Sequence, residues 1–166
     1  MVGFDQGEYT QAIAGFSPTA LQGRPTTIEI QGKEVCIMDY IYHLSNASLT
    51  LRVVQFLHEY AKLPVQFVTV IHQVDGWVVR VKMLSPLTDQ QAGNFSAFLN
   101  ELGFAYIPGI SLKMALWALE TGQPIVEVMR RYQVAIVAHG CPDFEDIEAF
   151  RKQFIQGLGY CPETLA

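Results

Sequence analysis

Two apolar segments on either side of Asp75-Gly76 restrict the fold more than any other part of the chain. Residues 65–74 and 77–84 are rich in Val and Ile, and Asp-Gly is a favoured two-residue turn between antiparallel strands. The sequence therefore predicts a β-hairpin centred on this dipeptide.

The register of this hairpin follows from its turn. With Asp75-Gly76 as the loop, the predicted cross-strand pairs are Val74 with Trp77, His72 with Val79, Val70 with Val81 and Val68 with Met83. The opposite face then holds Ile71, Val78, Phe67 and Leu84 together with Arg80 and Lys82. We expect one packed face and one freer face, which either pairs with a second copy or is covered by the C-terminal helices.

The segments before the hairpin predict a second hairpin and a helix. Residues 26–30 and 33–38 flank Gln31-Gly32, and Asp39 to Leu44 is typical of the start of a helix. Apolar residues then recur at helical spacing from Ser48 to Leu63. Nearer the N terminus, residues 17–23 predict a short capped helical turn.

The order of elements from residue 33 to residue 107 indicates the fold class. A helix predicted from Thr88 to Leu102 and a strand from Phe104 to Ile107 complete the order strand, helix, strand, strand, helix, strand. This order predicts an α+β protein with a ferredoxin-like (βαββαβ) antiparallel-sheet core. We expect a single domain over 1–166, with the core at about 26–107. A mainly helical extension at about 108–166 would add two or three helices and one strand.

Charged residues are scarce in this chain. They make up 16% of the 166 residues, against roughly 25% in a typical soluble domain, and apolar residues make up 50%. So few charges leave apolar surface exposed, and exposed apolar patches mark contact sites. The sequence therefore predicts a non-catalytic interaction protein, such as an adaptor, assembly factor or regulatory subunit, and also a homodimer. The alternatives are a small-molecule-binding sensor domain and a thiol-dependent enzyme.

Composition also argues against several other classes. A net charge of −5 disfavours nucleic-acid binding, and no apolar run reaches the length of a spanning helix, so we expect no membrane insertion. The three cysteines form no C-x-x-C pair, and residues 1–8 lack the features of a secretory signal. We therefore expect a cytoplasmic protein without a metal site, and no motif predicts a cofactor.

His139-Gly140-Cys141-Pro142-Asp143 is the segment with the best-placed candidate for chemistry. It lies between a predicted buried strand and a predicted helix, and a helix N-terminus and an imidazolium both favour a thiolate. Cys141 and His139 are therefore catalytic candidates. The alternative is a turn in which Cys141 is a small apolar filler, and the acids that follow it oppose a thiolate.

His72 and Trp77 are ligand-binding candidates on the apolar face of the central hairpin. A buried neutral imidazole can act as an acid, a base or a ligand. The alternative, which we favour, is that both residues are structural parts of the core.

Overall fold

A computed structural model describes residues 39–59 and 62–166, together with the backbone of residues 26–30 and 33–37. The helical turn predicted at residues 17–23 and the loop predicted at Gln31-Gly32 lie outside the described residues.

Seven strands and five α-helices are described in this part of the chain. The strands are β1 Thr26–Ile30, β2 Lys33–Ile37, β3 Asp39–Leu44, β4 Val65–Gln73, β5 Gly76–Met83, β6 Gly103–Ala105 and β7 Ala135–Gly140. The helices are α1 Ala47–Glu59, α2 Asp89–Leu102, α3 Ile110–Glu120, α4 Ile125–Tyr132 and α5 Phe144–Leu158. A 3₁₀ turn at Glu163–Leu165 follows the last helix.

Five of the strands form one antiparallel sheet in the order β6-β3-β5-β4-β7. The predicted α+β class is therefore confirmed. Strands β1 and β2 pair with each other, as the sequence predicts, but they form a sheet of their own. The prediction that residues 33–38 provide the first strand of the core sheet is therefore wrong, because β3 occupies that place between β6 and β5. Beyond residue 108 the chain adds three α-helices and one strand, in agreement with the predicted content of the C-terminal part.

The prediction that a helix starts at Asp39 is wrong, because residues 39–44 form strand β3. Tyr40, Tyr42 and Leu44 are buried on one face of the sheet, which is the two-residue period of a strand. Because β3 lies between β5 and β6, this short segment forms backbone hydrogen bonds along both of its edges. A six-residue pattern is too short to distinguish that strand from a helix in advance.

The hairpin of β4 and β5 forms, but its predicted register is wrong. His72 pairs with Trp77, and the loop is Val74-Asp75, so Val74 points into solvent with 98% of its surface exposed. Gly76 begins β5 with a φ of +151°, and a Cβ atom there would overlap the carbonyl oxygen of Leu44. The glycine therefore serves the close approach of β5 to β3, and the turn falls one residue earlier.

Helices cover both faces of the five-stranded sheet. One apolar core lies between the sheet and α1, α2 and α5, and a second lies between the sheet and α3 and α4. Ile71 and Val78, which belong to the face predicted to be freer, are buried in the second core. Of the two alternatives for that face, coverage by C-terminal helices is the one observed at these residues.

Candidate functional site

His72 and Trp77 lie together in an aromatic cluster at the end of the central hairpin. Their rings are 5.0 Å apart, and Phe150 and Phe154 of α5 lie 5.4 Å and 5.2 Å from the His72 ring. Trp77 is fully buried, and its indole N–H donates to the carbonyl oxygen of Thr164. Burial lowers the pKa of His72. Both rings are therefore packed against aromatic side chains of α5, and His72 Nε2 is buried without a hydrogen-bond partner in the described structure.

Cys141 borders a small apolar groove between α1, the start of β4 and the turn before α5. The groove has a volume of about 120 Å³ and is lined in part by Val54, Leu57 and His58. His58 Nε2 lies 2.8 Å from the carbonyl oxygen of Pro142, so the imidazole is held by the backbone. Cys141 is a free, exposed thiol.

His139 has partners of its own on the opposite face of the sheet. Its Nδ1 atom lies 2.8 Å from the hydroxyl of Thr69, and its ring lies 5.0 Å from that of Phe67. Burial, followed by the positive charge of Arg80, lowers the pKa of His139, and Glu120 opposes this effect. The structure thus places His139 with these groups, whereas Cys141 faces α1.

An ion-pair network crosses the face of the sheet beneath α3. Arg80 of β5 bonds through one terminal nitrogen to Asp39 Oδ2, at 2.6 Å, and also to Glu120 Oε1. Lys82 bonds to the same Glu120 oxygen at 2.9 Å. The Arg80 side chain is 8% exposed, so the network includes a cation that is almost entirely removed from water.

The charged groups of this network are paired with one another, which limits the reactions that they could carry out. Two cations face two carboxylates, and both cations also lie about 5.5 Å from the centre of the Phe67 ring. Thr69, the hydroxyl nearest to an imidazole base, is fully buried and cannot reach a substrate. The ion pairs therefore connect β3, β5 and α3, and this arrangement presents no accessible nucleophile.

His43 is a buried histidine without a hydrogen-bond partner in the structure. Its Nε2 atom lies 3.7 Å from Asp75 Oδ1, and its ring stacks on Phe104 at 5.0 Å. A second aromatic ring, that of Tyr106, lies 5.7 Å away. In the described part of the chain, no group of three His, Cys, Asp or Glu side chains is arranged to hold a metal ion.

Helix α3 carries exposed apolar residues on the side that faces away from the sheet. Ile110 is 82% exposed, Ile107 just before the helix is 57% exposed, and Trp117 two turns later is 50% exposed. Ile110 and Trp117 are seven residues apart and so lie on the same side of the helix. We call these three residues the α3 strip.

Sequence reasoning missed both the network and the α3 strip. Arg80 and Glu120 are 40 residues apart, and nothing in their spacing predicts a contact. The available signal was the pair Arg80 and Lys82 at alternate positions of an apolar strand, which requires acidic partners on that face. The α3 strip was hidden because the helix is apolar on most sides, a pattern that is typical of a deeply buried helix.

Comparison with known proteins returned no matching family model, curated protein or solved structure. No helix among the described residues is long and apolar enough to cross a membrane.

Proposed function

We propose that this chain is a non-catalytic protein that acts through protein–protein contact, and that its α3 strip binds a second copy of the chain. The observation that carries this proposal is the exposure of Ile110 and Trp117 on one side of α3 and of Ile107 just before it. From residue 103 to residue 119, Lys113 is the only charged residue. Such a charge-poor surface is typical of the core of an interface.

The size of the α3 strip suits a contact site. Its three residues expose on the order of 400 Å² of surface, which is within the range of the largest patches on soluble proteins. About 800 Å² per partner is buried in an ordinary specific interface, so the strip would form the apolar centre of a contact with a polar rim.

A second copy is the partner that best fits the order of residues along α3. In an antiparallel contact about a two-fold axis, Ile110 of each copy meets Trp117 of the other. Large and medium apolar side chains then face each other at both ends of the contact. Lys113 lies about 60° around the helix from Ile110, so it borders the α3 strip.

A small-molecule sensor has weaker support. The groove beside Cys141 has a volume of about 120 Å³, whereas sites for small organic ligands usually measure roughly 300–1,000 Å³. The thiol-enzyme alternative has no observed base for Cys141, because His58 is held by Pro142 and His139 lies beside Thr69.

The same proposal includes the finer details of fold and location. We propose a ferredoxin-like core with β7 added at one edge, and the order β6-β3-β5-β4 together with helices α1 and α2 between strands supports it. We also propose a cytoplasmic location, supported by the exposed free thiols of Cys141 and Cys161.

Sedimentation equilibrium at micromolar concentration tests the proposed contact. We expect a dimer for the wild-type chain and an 18.6 kDa monomer for Ile110→Glu. Phe144→Glu is the matched control, because Phe144 is also an exposed first residue of a helix but lies in α5, which packs on the other face of the sheet. An acid in the first turn favours both helices, so both variants should fold. A monomeric wild type, or a dimer that survives Ile110→Glu, would contradict the proposal.

A further inference from the structure

We infer that Glu120 is a positioning residue that fixes the direction in which α3 presents the α3 strip, an inference that rests on the proposed function. Glu120 is the last residue of α3, and it is the acceptor for both Arg80 and Lys82 of the central strand β5. The helix that bears the strip is therefore tied to the middle of the sheet through one carboxylate.

The position of Glu120 in the helix indicates that its charge helps to position α3 and does not serve solubility alone. A carboxylate at the C-terminal end of a helix opposes the helix dipole, so it is unfavourable there without a cationic partner. Arg80 supplies that partner from a buried position and is itself held by Asp39. The ion pairs thus compensate for a charge that the helix end disfavours.

The other contacts of α3 described here are less able to fix the rotation of the helix about its own axis. Leu112, Ala115, Leu116 and Leu119 pack in the second core through apolar contacts, which are non-directional. At the N-terminal end no side chain caps the helix, and Ser111 Oγ donates to the Tyr132 carbonyl oxygen of α4 instead of the sheet. Glu120 therefore supplies directional contacts between α3 and the sheet.

Rotation of α3 would move the α3 strip directly. Trp117 is three residues before Glu120, about one helical turn away, and the two side chains leave the helix within roughly 60° of each other. Fixing the Glu120 carboxylate on β5 therefore limits the directions available to the Trp117 indole. Loss of the carboxylate would leave the strip apolar but less well oriented for a partner.

The test compares Glu120→Gln with Glu101→Gln, which makes the same charge change on an exposed residue of α2. For Glu120→Gln we expect about a tenfold rise in the dimer dissociation constant and faster amide hydrogen exchange in α3. We expect Glu101→Gln to change neither quantity, and α1 and α2 to exchange at wild-type rates in both variants.

The two readouts separate this inference from the proposed function. A monomeric wild type would remove the proposed function, whereas the exchange rates of α3 would still decide the role of Glu120. Unchanged α3 exchange in Glu120→Gln, or equal weakening of the dimer by Glu101→Gln, would overturn the inference. If Glu120→Gln does not fold, Lys82→Gln removes one of the two bonds to the carboxylate, and the same changes are expected at smaller size.

Discussion

The indole nitrogen of Trp77 donates a hydrogen bond of 2.6 Å to the carbonyl oxygen of Thr164, 87 residues away in the chain. This bond joins the central strand β5 to the 3₁₀ turn after α5. The neighbouring Leu165 is fully buried in the same core, and its carbonyl oxygen accepts from Arg151. Leu165, close to the end of the described chain, is therefore an internal part of the core.

Replacement of Trp77 by Ala should lower the free energy of unfolding by roughly 3–5 kcal/mol, because it empties a fully buried site and removes the bond to Thr164. Urea denaturation measures the change. Trp117→Ala is the matched control, since Trp117 is half-exposed on α3, and it should cost much less stability. Equal losses in the two variants would show that burial of Trp77 in the core does not set the cost of its removal.

Gly76→Ala should destabilise the protein by about 1–3 kcal/mol, because a φ of +151° is strained for any residue with a Cβ atom. The added methyl group would also overlap the backbone of Leu44 and the ring of His43. Gly93→Ala provides the comparison within α2, where no atom lies within 4 Å of the added carbon. There alanine should stabilise the helix by up to about 1 kcal/mol. Thermal unfolding of both variants gives the sign of each effect.

Stability should decrease as the pH falls below neutrality. Burial lowers the pKa of both His72 and His139 in the folded protein. Between those lowered values and the ordinary histidine pKa of about 6.5, the unfolded chain binds more protons than the folded one. The free energy of unfolding therefore falls as pH drops through this window, and acidification favours unfolding.

Urea denaturation at about pH 7 and about pH 5.5 measures this pH dependence. His72→Gln and His139→Gln should each reduce the difference in stability between the two conditions, because each removes one group that takes up a proton on unfolding. A difference that is identical in the wild type and both variants would assign the pH dependence to other groups.

Cys141 and Cys161 should react with a small disulfide reagent at rates within a few-fold of each other. Both thiols are exposed and free, and the two imidazoles nearest to Cys141 in sequence or space are engaged by Thr69 and Pro142. Cys161 thus acts as an internal control. Much faster, pH-independent labelling of Cys141, with loss of binding in Cys141→Ser, would support the thiol-enzyme alternative instead.

Long segments with a clear hydrophobic period were predictable from the sequence. Short segments, and segments that depend on contacts distant in the chain, were not. The amphipathic pattern from Ser48 located α1, and the Thr88 capping residue located α2. Strand β3 was predicted as a helix because six residues carry too little pattern. The register of the hairpin was also missed, because Gly76 is required by a contact with β3 that is distant in sequence.

The candidate site was less predictable than the fold. Arg80, Lys82 and Glu120 are brought together only when α3 folds back over the sheet, so their pairing depends on tertiary packing. The charge deficit did predict leftover apolar surface, and the exposed residues of α3 are consistent with that prediction. It could not indicate the helix, because α3 is apolar on both its buried and its exposed sides.

Leu165 belongs to the same apolar core as residues of β3, the first strand of the main sheet. This has a consequence for the time at which the chain can fold during synthesis. Tyr40 and Leu165 belong to one apolar core, although more than a hundred residues separate them. A ribosome-bound chain that lacks residue 165 cannot close this core, whatever local helices and hairpins it has formed. Final consolidation must therefore wait until residue 165 has left the ribosome, and a nascent chain that is stalled before that point should expose the surface around Trp77 to chaperones.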